Sequence, residues 1–140
     1  MTNKHNQMVN LTTQVLKDQK LTYEELPMQH LPTFLVHYLA YRRGADFSVT
    51  VQEHTLRMSC YINLFDMQSA DFQRKLSYAN DANRLSELAR FHVVGNDLIA
   101  ACALPLPDGD SATIANLIYE AVLQFTMDLE SVYGDYIMSD

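Results

Sequence analysis

Residues 112–133, "ATIANLIYEAVLQFTMDLESVY", constrain the fold more than any other stretch of the chain. At about 100° per residue, Ile114, Leu117, Ile118, Ala121, Val122, Phe125, Leu129 and Val132 fall on one broad helical face. Tyr119, Leu123 and Met127, spaced by four, form a second stripe nearly opposite. A helix that is apolar on two sides is either sandwiched inside a domain or offers its second side to a partner. A chain of 140 residues is expected to form one domain over 1–140, which leaves little material to cover both sides. Tyr119, Leu123 and Met127 are therefore the expected dimer or partner contact, with self-association as the expected form.

The rest of the chain must supply the layer that the broad face covers. Residues 6–17 place Met8, Leu11, Thr12 and Val15 on one stripe, which predicts an amphipathic helix. "LTYEELP" reads as a short edge strand, and Pro27 and Pro32 exclude regular structure between them. Three strands are then predicted at 33–42, 47–54 and 56–64. In the second, Phe47, Val49 and Val51 alternate with Ser48, Thr50 and Gln52; in the third, Leu56, Met58, Cys60, Ile62 and Leu64 alternate with polar neighbours. "RGAD" supplies the turn after the first strand, with Gly44 as the residue free to take a positive φ.

A second helix follows over about 66–90, capped by Asp66 or Ser69, with acidic Asp71 in its first turn. Its packing stripe is Tyr78, Ala82, Leu85 and Ala89. Gly95-Asn96 marks a hairpin between "FHVV" and "DLIAACALPL", and Asp110 or Ser111 caps the final helix. The predicted order is α-β-β-β-α-β-β-α, or the same with a fourth strand before the second helix. This is an α+β fold with an antiparallel sheet backed by helices.

Apolar content of 48% with 19% charged residues is ordinary for a globular domain and excludes a mainly disordered chain. No apolar run approaches the roughly 18 residues of a membrane span, and the N-terminus lacks a signal peptide's apolar core, so a cytoplasmic protein is expected. The net charge of −7 lies entirely in residues 71–140, which carry four basic and eleven acidic groups. An acidic half repels phosphate, which disfavours nucleic-acid and anionic-membrane partners.

Chemistry-bearing patterns are sparse. The five histidines and two cysteines show no HxH, HxxxH or CxxC spacing, so no metal or other cofactor is expected, and Cys60 and Cys102 read as buried reduced thiols. Four isolated glycines make no phosphate cradle, and no GxSxG or Cys/His pairing proposes a nucleophile, so no catalytic residues are assigned and no enzyme is expected. Tyrosine is abundant. Phe34, Tyr38 and Tyr41 on one strand and Tyr61 on another form a candidate sheet-face binding surface, because tyrosines suit faces that are partly apolar and partly wet. A small-ligand-binding sensor domain, with a pocket near Tyr38, Tyr61 and Phe125, is the alternative.

Asn80 and Asn83 are out of place, since each costs roughly half a kcal/mol against alanine inside a helix. The apolar phase continues through them, so the expectation is that Asn83, and Asn80 less firmly, satisfies backbone groups near residues 91–94. The stretch "NDANRLSELARFHVVGNDLIAACALPLPDG" resembles the YbjN-type family of bacterial sensory transduction regulators. Asn80 and Asn83 match its N-x-x-N pair, Phe91 its aromatic, Gly95-Asn96-Asp97 its turn, and Leu98, Leu104 and Leu106 its strand. The resemblance implies a fold similar to that of type III secretion chaperones. It further implies a non-enzymatic, chaperone-like interaction or regulatory module that binds a protein or peptide as a homodimer.

Overall fold

The computed structural model describes residues 3–26, 31–52, 54–62 and 71–139. Its core is a six-stranded, fully antiparallel sheet in the order β1-β2-β5-β6-β8-β7. The strands are β1 (Thr22–Leu26), β2 (Thr33–His37), β5 (Phe47–Val51), β6 (Thr55–Tyr61), β7 (Arg90–Val94) and β8 (Asp97–Pro105). A separate two-stranded hairpin, β3 (Leu39–Ala40) and β4 (Arg43–Gly44), interrupts the run between β2 and β5. Three helices complete the chain: α1 (Asn3–Asp18), α2 (Phe72–Leu85) and α3 (Ser111–Ser139). The fold class is α+β, and the order of helices and sheet segments is the expected one.

The period-two patterns decide which face is inside. Phe34, Val36, Phe47, Val49, Val51, Leu56, Met58 and Cys60 point to one face and are buried. Ser48, Thr50, Arg57 and Ser59, from the alternate positions, stay at least partly exposed. The broad face of α3 belongs to the same core: Ile118, Val122, Phe125, Leu129, Val132 and Tyr133 are sealed from solvent, and the Phe125 ring lies 5.1 Å from that of Phe47. In α1, the buried positions are Met8, Thr12, Val15 and Leu16, with the Thr12 hydroxyl donating to the Met8 carbonyl at 2.7 Å. α1 packs on α3, and Gln19 Nε2 donates to the Tyr119 carbonyl at 2.8 Å.

Three local expectations are corrected. The strand predicted at 33–42 breaks at Tyr38, whose N–H donates to Asp46 Oδ1 at 2.9 Å instead of continuing the ladder. The turn that follows falls at Tyr41-Arg42, with φ of 50° and 64°, so the left-handed positions belong to these two residues and not to Gly44. The second helix ends at Leu85, because Ser86 is extended (φ −103°, ψ 149°) and its hydroxyl donates to the carbonyls of Ala82 and Ala89. Its buried residues are therefore Lys75, Ala79 and Ala82; Leu85 is exposed, and Ala89 is buried beyond the helix end. Asp71 is the N-cap, accepting from the Arg74 N–H at 2.8 Å, whereas Asp66 and Ser69 lie outside the described residues. Asp110 caps α3 as expected, with Thr113 N–H 2.7 Å from its Oδ1.

Candidate interaction surfaces

α3 presents its second stripe to solvent. Tyr119, Leu123 and Met127 are 36%, 41% and 51% exposed, while the opposite side of the same helix is sealed in the core; Leu117, expected on that broad face, is instead 39% exposed. One side of α3 exhausts the available core, since the sheet and α1 take up the broad face and nothing among the described elements covers the other. Exposed Glu120 flanks the stripe, and α3 holds no lysine or arginine, so the surface is apolar with an acidic border.

The aromatic residues suggested for a sheet-face surface do not come together. Phe34 is fully buried on the inner face, whereas Tyr61, 65% exposed, sits on the outer one; their alternate phases on β2 and β6 place them on opposite sides. Tyr38 is half-buried, and its hydroxyl donates to Glu130 Oε1 at 2.8 Å. Burial, followed by that carboxylate, pushes its ionisation well above the ordinary tyrosine range. Its ring stacks edge-on against Phe47, which in turn meets Phe125, so these aromatics fill the core and do not enclose a pocket with Tyr61. Tyr41 is exposed at its turn, with its ring against Gly134 of α3.

Cavities occur elsewhere. One of about 200 Å³ opens between α2 and α3, lined by Tyr78, Asp81, Leu85, Val132, Asp135 and Tyr136. A second, of about 300 Å³, lies where α1 meets the loop before α3, against Gln7, Met8, Leu106 and Gly109. Among the described residues no group of three or more His, Cys, Asp or Glu could hold a metal ion. The Cys60 and Cys102 thiols are free, and burial pushes them up to about 12 and about 11, which removes the thiolate needed for reactivity.

The polar cluster around residues 83–91 is the most organised part of the surface layer. Asn83 Nδ2 donates to the Phe91 carbonyl at 2.9 Å, and its Oδ1 accepts from the Phe91 N–H at 2.7 Å. This is the backbone contact expected for Asn83, while Asn80 is exposed. Buried Asp128 of α3 accepts from the backbone N–H groups of Glu87, Leu88 and Ala89 at 3.0, 2.7 and 2.7 Å, and from Gln124 Nε2 at 2.9 Å. Sequence reasoning passed over Asp128. Its helical phase, within the buried face beside Phe125 and Leu129, was the available signal, since a carboxylate there requires donors. Buried Lys75 adds a bond from its Nζ to the Asn96 carbonyl.

These features define a class: an α+β domain with an antiparallel sheet, helices closing its core, and one helix whose outer stripe is apolar and open. No helix among the described residues is long and apolar enough to cross a membrane. Similarity to a solved protein is found at the level of fold. The crystal structure of YbjN from E. coli, a proposed transcription regulator, superposes with a TM-score of 0.58 over 91% of this chain and 93% of that one, at 12% sequence identity. No family model matches the sequence, and neither does any curated protein.

Proposed function

We propose that this protein is a non-enzymatic interaction or regulatory module of the cytoplasm, which self-associates through the outer stripe of α3 and binds a protein or peptide partner. The observation that carries the reading is the row of Tyr119, Leu123 and Met127, three large apolar side chains exposed on one side of a helix whose other side is core. Such a row is costly to leave in water and characteristic of surfaces that meet another chain. The resemblance of residues 80–109 to the YbjN-type family and the shared fold with YbjN support a regulatory role.

The test is Leu123→Asp, measured by light scattering at several concentrations. A fall from dimer to monomer mass with unchanged circular dichroism is expected, and an unchanged mass sinks the reading. A second reading, a small-ligand sensor, is favoured by the cavity between α2 and α3. There the Tyr78 hydroxyl is the buried side-chain polar atom, among the described residues, that lacks a hydrogen-bond partner. A rise in melting temperature with one member of a metabolite panel, lost in Tyr78→Phe, would move the balance to that reading.

A further inference from the structure

The two edges of the sheet differ. β7 is closed, because α2 packs along it and is tied to it by Lys75 on the Asn96 carbonyl and Asn83 on Phe91. β1 is the other edge, and the direction of its backbone groups follows from its neighbour β2. The Pro32 carbonyl accepts from the Val51 N–H and the Tyr38 carbonyl from the Ala45 N–H, so the even-numbered residues of β2 turn their backbone groups toward β5. Thr33, Leu35 and His37 therefore bond to Leu26, Glu24 and Thr22 of β1. The N–H and C=O of Tyr23 and Glu25 are left directed away from the sheet, and among the described residues nothing bonds to them.

The side chains of this edge are acidic. Glu24 and Glu25 are exposed in mid-strand, one on each face of the sheet, while Tyr23 is half-buried with its ring edge-on to Phe34. Glu24 reaches His37 at 3.5 Å, and Glu25 has no side-chain partner among the described residues. A second copy of this chain is a poor occupant, since the antiparallel register that uses all four outward groups sets Glu24 opposite Glu24. An extended segment bearing lysine or arginine meets the same two carboxylates as counter-ions, and the net charge of −7 favours its approach.

We propose that the β1 edge takes up an extended, basic segment of a protein partner as an added antiparallel strand. This deepens the peptide-binding part of the proposed function and rests on it. The main chain of the segment makes the bonds to Tyr23 and Glu25 that a further strand of the sheet would make. Its basic side chains lie opposite Glu24 and Glu25, and an apolar one lies opposite Tyr23, beside that ring.

The probe is the pentapeptide Thr-Lys-Lys-Val-Thr, blocked at both ends and titrated into the isotope-labelled protein, with amide shifts read by NMR. Saturating shifts at Tyr23 and Glu25 are expected. A copy N-methylated at its first lysine and its valine keeps the charge but loses the donors that face β1, and is expected to leave those amides unmoved. Glu25→Lys, a change at an exposed position, is expected to weaken binding of the parent peptide roughly fivefold. The proposal is overturned if the parent peptide leaves Tyr23 and Glu25 unmoved, if the N-methylated copy binds equally well, or if Glu25→Lys has no effect. An acidic and an apolar peptide, Thr-Glu-Glu-Val-Thr and Thr-Val-Val-Val-Thr, separate this failure from that of the wider reading. Their binding on another surface keeps the peptide partner and removes the β1 edge. Silence from all three peptides counts against both.

Discussion

α3 and α2 are attached to the rest of the molecule by different forces. α3 inserts Ile118, Val122, Phe125, Leu129, Val132 and Tyr133 into the core, all at 1% exposure or less. α2 buries two alanines and a lysine, and keeps Phe72, Leu76 and Leu85 exposed. It is held instead by polar struts: Lys75 to the Asn96 carbonyl, Asn83 to both backbone groups of Phe91, and Ser86 to Ala89. A helix held by apolar area tolerates small shifts, since burial has no direction. One held by hydrogen bonds has its register against the hairpin fixed to within a bond length.

That contrast can be broken at either helix. The largest effect belongs to the apolar attachment: Phe125→Ala is expected to cost roughly 3–5 kcal/mol in chemical denaturation, from lost burial plus the cavity left against Phe47. Asp128→Asn, which cannot accept from three backbone donors with the same charge, should cost roughly 1.5–3 kcal/mol. It should also speed amide exchange at Glu87, Leu88 and Ala89 ahead of global unfolding; uniform exchange across the domain would contradict a local anchor. Asn83→Ala should cost less, roughly 1–2 kcal/mol for two neutral bonds. Leu123→Asp, on the open side of α3, should leave monomer stability within about 0.5 kcal/mol while changing the assembly state.

The smallest effect lies at β2, away from both helices. His37 places Nδ1 3.0 Å from Asp46 and Nε2 3.5 Å from Glu24, and these carboxylates, Asp46 foremost, raise its pKa above the ordinary 6.5. A raised folded value means the stabilisation is complete below the unfolded pKa and disappears as pH rises through the folded one. The imidazole is open to solvent, so the gain is small. The melting-temperature difference between the parent and His37→Gln should be greatest below the ordinary imidazole pKa of 6.5 and disappear as pH rises above the raised folded value. A difference that grows with pH would refute the pairing.

The same contrast explains what could be read in the sequence. α3 and the alternating strands were legible because apolar burial writes itself as a period in one segment: Phe125 every turn with its neighbours, Phe47 every second residue. Asn83 was legible as an anomaly, since an asparagine inside a helix requires a partner, and the partner was local in sequence. Asp128 was not anticipated, because its donors lie some 40 residues away in the α2–β7 loop. Nor was the end of α2 at Leu85, where the Ser86 hydroxyl and Asp128 together override a stripe that continued in phase to Ala89. The break at Tyr38 likewise depends on Asp46, eight residues on. For the open stripe of α3, spacing along the helix sufficed to place Tyr119, Leu123 and Met127 side by side. Grouping Phe34 with Tyr61 failed because it requires strand phase across two separate strands.

The Tyr41-Arg42 turn has a consequence for how far this domain could be improved. Both residues hold the left-handed conformation that costs a side-chain-bearing residue about 1–2 kcal/mol, at positions that tight hairpins give to asparagine and glycine. Tyr41 has a reason to be there, since its ring rests on Gly134, where a methyl group would come within 2.8 Å of it. Nothing in the structure explains Arg42, whose side chain is exposed. Arg42→Gly is thus a route to a hardier protein, raising the melting temperature without entering the core or the α3 stripe. Lys20, after α1, holds the same conformation at φ 59°, so the strain of side-chain-bearing residues in this domain gathers at surface turns that glycine would relax.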